Sequence, residues 1–353
     1  MDKILIIITT FFSSLLITPF VKKMAININS VDNPNERRVN KNPMPTLGGL
    51  AIFLSFMLGY ILFGNNSKEM IPILLGGIII VLTGVFDGIK PLKAREKFIG
   101  QLIGALILVL YGNMVITHID GLGVSINFGI FAEFITIIFV LGMINAMNFI
   151  DGLDGLATGL SSIFFITTAV IAILIGKSNN IEFIFTLIMI GSSLGFLVHN
   201  FYPAKIYLGD SGSMFLGYII SAIAIMGFKN VTLTSFVVPL TIMAIPILDV
   251  FFAILRRVRS NKSISVADKK HIHHQVMNIT KDHRKTVLVL YFINILFALS
   301  SIFYITKRSQ IAIIFYILLF VITIVFVCST TVLSDQLLIN RKYFEKIKKV
   351  LKK

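Results

Sequence analysis

Eleven apolar runs follow one another along this chain, at about 4–21, 47–63, 71–86, 98–117, 130–147, 159–176, 182–198, 213–228, 233–254, 286–305 and 310–328. Short polar stretches separate them. Most approach the ~20 residues that a helix needs to cross the hydrocarbon core of a bilayer. The runs at 71–86 and 213–228 are the weakest. Inside lipid every backbone N–H and C=O must find an internal partner, so such runs have to be helices. Composition agrees, with 56% of residues apolar and 14% charged, against roughly 45–50% and 25% in a soluble domain. The expected fold class is an all-α polytopic membrane protein of about 11 transmembrane helices. The first run does not read as a cleaved signal, because Val21-Lys22-Lys23 follows it where a small-residue cleavage site would stand. The single cysteine, Cys328, excludes a disulfide framework and a thiolate zinc site.

Lysine and arginine orient the bundle. Of the 32, 26 fall in the loops 22–46, 87–97, 199–212 and 255–285 or in the tail 329–353. These segments therefore read as cytoplasmic, with the N-terminus outside and the C-terminus inside. The formal charge of +15 is topology and attraction to anionic lipid, not a nucleic-acid footprint. Residues 1–328 read as one membrane domain, and the basic tail 329–353 as a short helix lying on the inner membrane surface. The outer loop 119–129 alternates around glycines, which suggests a small β-hairpin.

Polar residues that composition does not explain gather at the cytoplasmic ends of the runs. In Asn145-Ala146-Met147-Asn148-Phe149-Ile150-Asp151-Gly152-Leu153-Asp154-Gly155, two carboxamides and two carboxylates recur every third residue. Helix capping accounts for one Asp and one Gly, not for the whole series. Such groups suit a divalent cation with phosphate, or a nucleobase and sugar. In Tyr207-Leu208-Gly209-Asp210-Ser211-Gly212-Ser213, Asp210 could ligate a metal, and Ser211 with the following N–H groups could face phosphate; an N-cap is the simpler explanation. Asp87 precedes Lys90, Lys93, Arg95 and Lys97. His271, His273 and His274 lie in the longest inner loop, and His283 reads as a surface residue. Hard oxygen ligands among several bases point to Mg²⁺, with Mn²⁺ as the substitute, and to polyphosphate.

Taken together these motifs resemble the polyprenyl-phosphate N-acetylhexosamine-1-phosphate transferases. The resemblance rests on 145–157, 207–213, Pro45-Thr46-Leu47-Gly48-Gly49 and Asp268-Lys269-Lys270-His271-Ile272-His273-His274, in the family's order. It implies transfer of sugar-1-phosphate from a UDP-sugar to undecaprenyl phosphate with release of UMP. It places Asp210 as a Mg²⁺ ligand with Asp87 beside it. Asp87, Asp151, Asp154, His273 and His274 become catalytic candidates, and Asn148, Asp151 and Asp154 line the nucleotide and diphosphate site. Tyr207 stands where the family stacks an aromatic on uracil, while Lys41, Thr46, Lys97 and His271 match positions near phosphate or sugar. The expected setting is the bacterial plasma membrane, and family members are often homodimers.

Ile272 separates His271 from His273-His274, which resembles the branch that uses UDP-GlcNAc to prime teichoic acid, O-antigen or enterobacterial antigen. Asp249-Val250 and Arg256-Arg257 fit that branch too. Three departures stand against the family pattern: Gly88 where an Asp is usual, Asn40 where a His is usual and Asn261 where a Gly is usual. Gly88 leaves a catalytically impaired scaffold as an alternative. A transporter is the other, although few ionisable residues lie within the runs.

Overall fold

The computed structural model describes residues 3–32, 43–64, 70–121, 124–229, 237–259, 271–305 and 309–327. Lys41, Asn40, Asn261, Cys328 and the whole 329–353 tail lie outside the described residues. The first helices are α1 (Lys3–Asn27), α2 (Gly48–Phe63), α3 (Met70–Ile89) and α4 (Ala94–Leu106), the last continued by a π turn (Ile107–Tyr111). After them come α5 (Ala132–Ile150), α6 (Leu156–Leu174), α7 (Ile181–Asn200) and α8 (Gly209–Lys229). Four more complete the longer elements: α10 (Ala244–Arg259), α11 (Ile272–Thr280), α12 (His283–Ile305) and α13 (Ser309–Val327), with the short α9 (Val237–Ile242) before them.

Each apolar run contains a helix among the described residues. Among the described residues, seven helices are long and apolar enough to cross a membrane, and three shorter apolar stretches lie at Gly48–Phe63, Ala244–Ile254 and Ile313–Thr323. Two runs differ in detail from the sequence reading. The run 98–117 starts its helix earlier, where the Glu96 carboxylate accepts the Lys93 N–H at 2.7 Å, and ends at Tyr111. There Gly112 and Asn113, the latter in the left-handed region at φ 47°, stop it. The run 233–254 is divided at Met243 into α9 and α10. Pro246 sits in the first turn of α10, where a missing N–H leaves no intrahelical bond unmade.

The hairpin expected in the loop 119–129 forms, with β3 (His118–Gly121) antiparallel to β4 (Val124–Asn127) and His118 opposite Asn127. A second ribbon pairs β1 (Val31–Asp32) with β2 (Met44–Pro45). It is too short to leave a periodic signal in the sequence.

Small residues let the helices close on one another, since packing and polar contacts have to replace the hydrophobic effect inside lipid. Ser55 donates to the Thr10 carbonyl at 2.7 Å, and Ser192 to Ser55 Oγ at 3.0 Å. A Cβ on Gly191 would fall 2.0 Å from Thr10 Oγ1, so α1 and α7 meet through glycine. The same device sets the start of α8. A Cβ on Gly49 would lie 2.0 Å from Gly212 Cα, and one on Gly84 would lie 2.2 Å from the Ser211 nitrogen. The first turn of α8 is thus wedged between α2 and α3.

Gly84→Ala should therefore destabilise the protein by about 1–3 kcal/mol through overpacking, although Ala is the better helix former by roughly 1 kcal/mol. Gly142→Ala, with nothing within 4 Å of the added carbon, should leave the melting temperature unchanged or raised. Thermal unfolding in detergent measures both, and equal melting of the two variants would show that α3 and α8 do not approach so closely.

Candidate active site

The junctions α1/α2, α3/α4, α5/α6, α7/α8 and α10/α12 meet at one end of the bundle, and their polar side chains touch. The centre is an ammonium between two carboxylates. Lys97, on the first turn of α4, places Nζ 2.8 Å from Asp87 Oδ2 at the end of α3 and 2.8 Å from Asp210 Oδ2 at the start of α8. Asp87 is aimed by its other oxygen, which accepts the Leu92 N–H at 2.8 Å. Burial works against the charge on Lys97, yet the charges and hydrogen bonds of Asp210 and Asp87 hold its pKa above the usual lysine value.

Asp151 caps the C-terminal end of α5. Burial, with the charges of Asp210 and Asp154 added, pushes its carboxyl up to about 8. Asp151 and Asp154, from one turn, therefore share an electrostatic field with Asp210 from a distant segment. Asn148, one turn before Asp151, donates to Ser213 Oγ at 2.9 Å and ties α5 to the first turn of α8. Asn145 donates to Gln101 Oε1 at 2.9 Å and ties α5 to α4. The two carboxamides hold the acids in register.

Asp154 is buried, and its Oδ2 accepts the Ala204 N–H at 3.0 Å. That carboxylate is committed to the chain. Thr46 and Tyr207 are half-buried beside this turn. The Tyr207 N–H donates to the Pro45 carbonyl at 2.8 Å, and the Tyr207 carbonyl accepts the Gly48 N–H at 3.0 Å. Thr46 Oγ1 lies 3.1 Å from Ser30 Oγ. Gly209 follows with φ +68°, and a Cβ there would fall 1.9 Å from the Thr46 carbonyl oxygen, so only glycine fits this turn.

The histidines flank the same corner. His271 Nδ1 lies 2.8 Å from Asp249 Oδ2, while Asp249 Oδ1 accepts the Ile272 N–H at 2.6 Å and so caps α11. The His271 ring stacks against Phe149 and against His273. His273 reaches back to the aspartate turn: a Cβ on Gly152 would lie 2.3 Å from His273 Nε2. Burial first, then the neighbouring His274, His271 and His283, holds the His273 pKa well below the usual histidine value, so His273 is neutral. His274 is exposed at its edge, with ring centroids 4.2 Å from His273.

The structure thus joins Asp87, Lys97 and Asp210 directly, brings Asp151 into their field, and sets Asn148, Asp154, His271, His273 and His274 around them. Three further residues escaped the sequence reading as site residues. Asp249 is the one carboxylate within its apolar run, which was a usable signal. Arg257, buried, lies 5.7 Å over the Phe149 ring. His283 is not a surface residue. Its Nε2 accepts the Asp154 N–H at 2.9 Å. Nor does the start of α8 offer an open phosphate seat, since Ser211 is fully buried against α3.

No group of three or more His, Cys, Asp or Glu converges as a ligand set among the described residues. The donor chemistry still fits a hard divalent cation. Asp87 and Asp210 already converge on one positive charge, and carboxylate oxygens are the donors such an ion takes.

Gly88 bears on that balance. A Cβ there would lie 2.7 Å from Ser30 Oγ and 3.0 Å from Leu47 Cδ2, so Ser30 fills the space beside Asp87. Gly88→Asp alone should lower the melting temperature, and adding Ser30→Gly should recover it; unfolding scans of the two variants compare them directly. A second expectation concerns pH. The folded Asp151 keeps a proton that the unfolded chain releases near pH 4. Folding stability should therefore fall as pH rises from about 4 to about 8 and level off above. Asp151→Asn should remove that part of the slope, and an unchanged pH profile of melting would contradict the buried acidic field.

Comparison with known proteins adds an independent observation. Residues 70–228 match the family described as Glycosyl transferase family 4. The chain is 40% identical over 339 residues to the probable undecaprenyl-phosphate N-acetylglucosaminyl 1-phosphate transferase of Bacillus subtilis, covering 95% of this chain and 92% of that protein. It is 32% identical to the decaprenyl-phosphate N-acetylglucosaminephosphotransferase of Mycolicibacterium smegmatis, covering 80% and 76%. It is 31% identical to the phospho-N-acetylmuramoyl-pentapeptide-transferase of Halalkalibacterium halodurans, covering 84% and 94%.

Proposed function

We propose a specific reaction on one premise: the chain belongs to Glycosyl transferase family 4, as an enzyme that transfers sugar-1-phosphate to a polyprenyl phosphate. The reaction is transfer of N-acetylglucosamine-1-phosphate from UDP-GlcNAc to undecaprenyl phosphate. A phosphate oxygen of the acceptor bonds to the sugar-linked phosphorus of the donor. The bond from that phosphorus to the bridging oxygen breaks, and UMP leaves. The observation that carries the reading is the Asp87–Lys97–Asp210 bridge within the field of Asp151.

Phosphoryl transfer leaves little covalent work to the protein, so positioning and charge neutralisation dominate. Lys97 offers a positive charge that the donor diphosphate can share with the two carboxylates. Asp151, with its carboxyl pushed up to about 8, carries a proton near neutral pH and can donate it in a hydrogen bond to a phosphate oxygen. Neutral His273, packed on Gly152, and exposed His274 border the same turn and supply donors for phosphate or sugar oxygens. Lys41 belongs to this basic set by its place in the sequence. Asp87 and Asp210 would hold Mg²⁺, or Mn²⁺ in its place, and such an ion would neutralise charge on the diphosphate.

The placement of 26 of the 32 Lys and Arg on one side supports a site facing the cytoplasm of a bacterial plasma membrane, where a nucleotide sugar is at hand. The acceptor explains the membrane bundle, because the prenyl chain then stays in the bilayer while its phosphate reaches the helix ends. The product would be the first lipid-linked intermediate of a cell-envelope glycopolymer.

Purified protein given Mg²⁺, UDP-GlcNAc and undecaprenyl phosphate should release UMP, and EDTA should stop the release. Asp210→Asn should lower kcat by about 100-fold or more without reducing the folded yield. Absence of UMP from every UDP-N-acetyl sugar tried would sink the assignment, and near-normal turnover in Asp210→Asn would remove the carboxylate roles.

A further inference from the structure

The aspartate turn is held from behind by α12, and the contact chemistry there is specific. His283 opens α12 with a side chain only 13% exposed. Its Nε2 accepts the Asp154 N–H at 2.9 Å. A nitrogen that accepts must be unprotonated, so the imidazole is neutral and carries its hydrogen on Nδ1. Nδ1 itself is buried and has no partner. The ring stacks on Tyr202, with centroids 4.7 Å apart and planes inclined by 24°. Two turns along the same helix, the Tyr291 hydroxyl donates to the Gly155 carbonyl. Gly155 stands at φ +77° and opens α6. One helix thus grips two successive residues of the turn, at an N–H and at a C=O.

Asp154 completes the arrangement from the other side. Its Oδ2 accepts the Ala204 N–H at 3.0 Å, and Ala204 lies two residues beyond the Tyr202 that stacks on His283. The turn, the α7/α8 connection and the start of α12 therefore lock around one residue. Asp151, the C-terminal cap of α5, is three residues away along this turn, with only Gly152 and Leu153 between them.

We propose that His283 is a positioning residue of the active site. Through its Nε2 lone pair it fixes the Asp154 peptide, and so sets where the Asp151 carboxylate points relative to Asp210 and Lys97. The inference rests on the reading of the Asp151 turn as part of the reaction centre. It requires an acceptor at the Nε2 position, not merely a ring of that volume. Glutamine can bring its side-chain oxygen to that position. Asparagine is one bond too short, and leucine fills the space without accepting.

The test compares His283→Gln, His283→Asn and His283→Leu with the unchanged protein in two assays. Amide hydrogen exchange over 150–156 reads the Asp154 N–H directly. Loss of the acceptor should speed its exchange by about tenfold or more in the Asn and Leu variants, as expected for one lost hydrogen bond, and Gln should keep protection within about threefold. UMP release should follow the same order, with kcat falling about tenfold in Asn and Leu, KM for the UDP-sugar nearly unchanged, and Gln restoring turnover. Equal protection and equal turnover in Leu and Gln would overturn the proposal, as would a Gln variant no better than Leu if Leu unfolds. The exchange assay needs no turnover. Protection that follows the acceptor in a protein releasing no UMP would refute the reaction and uphold the anchoring of the turn.

Discussion

One charge balance organises this end of the molecule. Asp87, Asp151 and Asp210 arrive on three segments far apart in sequence, and carboxylates brought together repel unless a cation stands among them. Lys97 supplies that cation to Asp87 and Asp210 with two contacts of 2.8 Å, while burial first, and then the charges of Asp210 and Asp154, push the Asp151 carboxyl up to about 8. The packing that creates the repulsion is itself tight. Gly49 and Gly84 let α2 and α3 press against the first turn of α8, so Asp210 cannot retreat from Asp87. Stability is given up locally in exchange for a concentrated negative field, a trade found where charged substrates and ions are handled.

The acidic side chains near the site divide by what their oxygens do. Asp154 and Asp249 are spent on backbone N–H groups, at Ala204 and Ile272. They hold connections together. Asp87 serves both ends, with Oδ1 on the Leu92 N–H and Oδ2 on Lys97. Asp210 turns an oxygen to Lys97, and Asp151 is left with the most strongly raised proton affinity. A carboxylate already accepting a backbone hydrogen bond is poorly suited to leave its place for a substrate. Among these acids, Asp151 and Asp210 are the two with no backbone hydrogen bond described above.

Much of this was legible in the sequence, for reasons that can be named. Apolar runs near bilayer length leave the backbone no choice but helix, so each run holds a helix among the described residues, seven of them long and apolar enough to cross a membrane. The two revisions came where Gly112, Asn113 and Pro246 act locally against a smooth hydropathy signal. Asp87, Asp151 and Asp210 stood out as carboxylates gathered at the ends of apolar runs, and Lys97 came with the family resemblance. Asp249 and His283 did not. Their roles depend on how α11 and α12 fold back onto the α5/α6 turn, a contact spanning 129 residues between Asp154 and His283. No periodicity within either segment encodes that approach. Ser30 was hidden for the same reason, since only the fold sets its hydroxyl beside Gly88.

Gly88 shows how such tertiary contacts change the meaning of a sequence departure. Read along the chain, a glycine after Asp87 looks like a lost carboxylate. In the fold, Ser30 Oγ and Leu47 Cδ2 occupy the space that a side chain would need, and Ser30 is further engaged with Thr46. The substitution and its surroundings are matched, which is the mark of an accommodated position and not of a vacancy. A second acid there would also add negative charge beside Asp87, where Lys97 is already shared between two carboxylates.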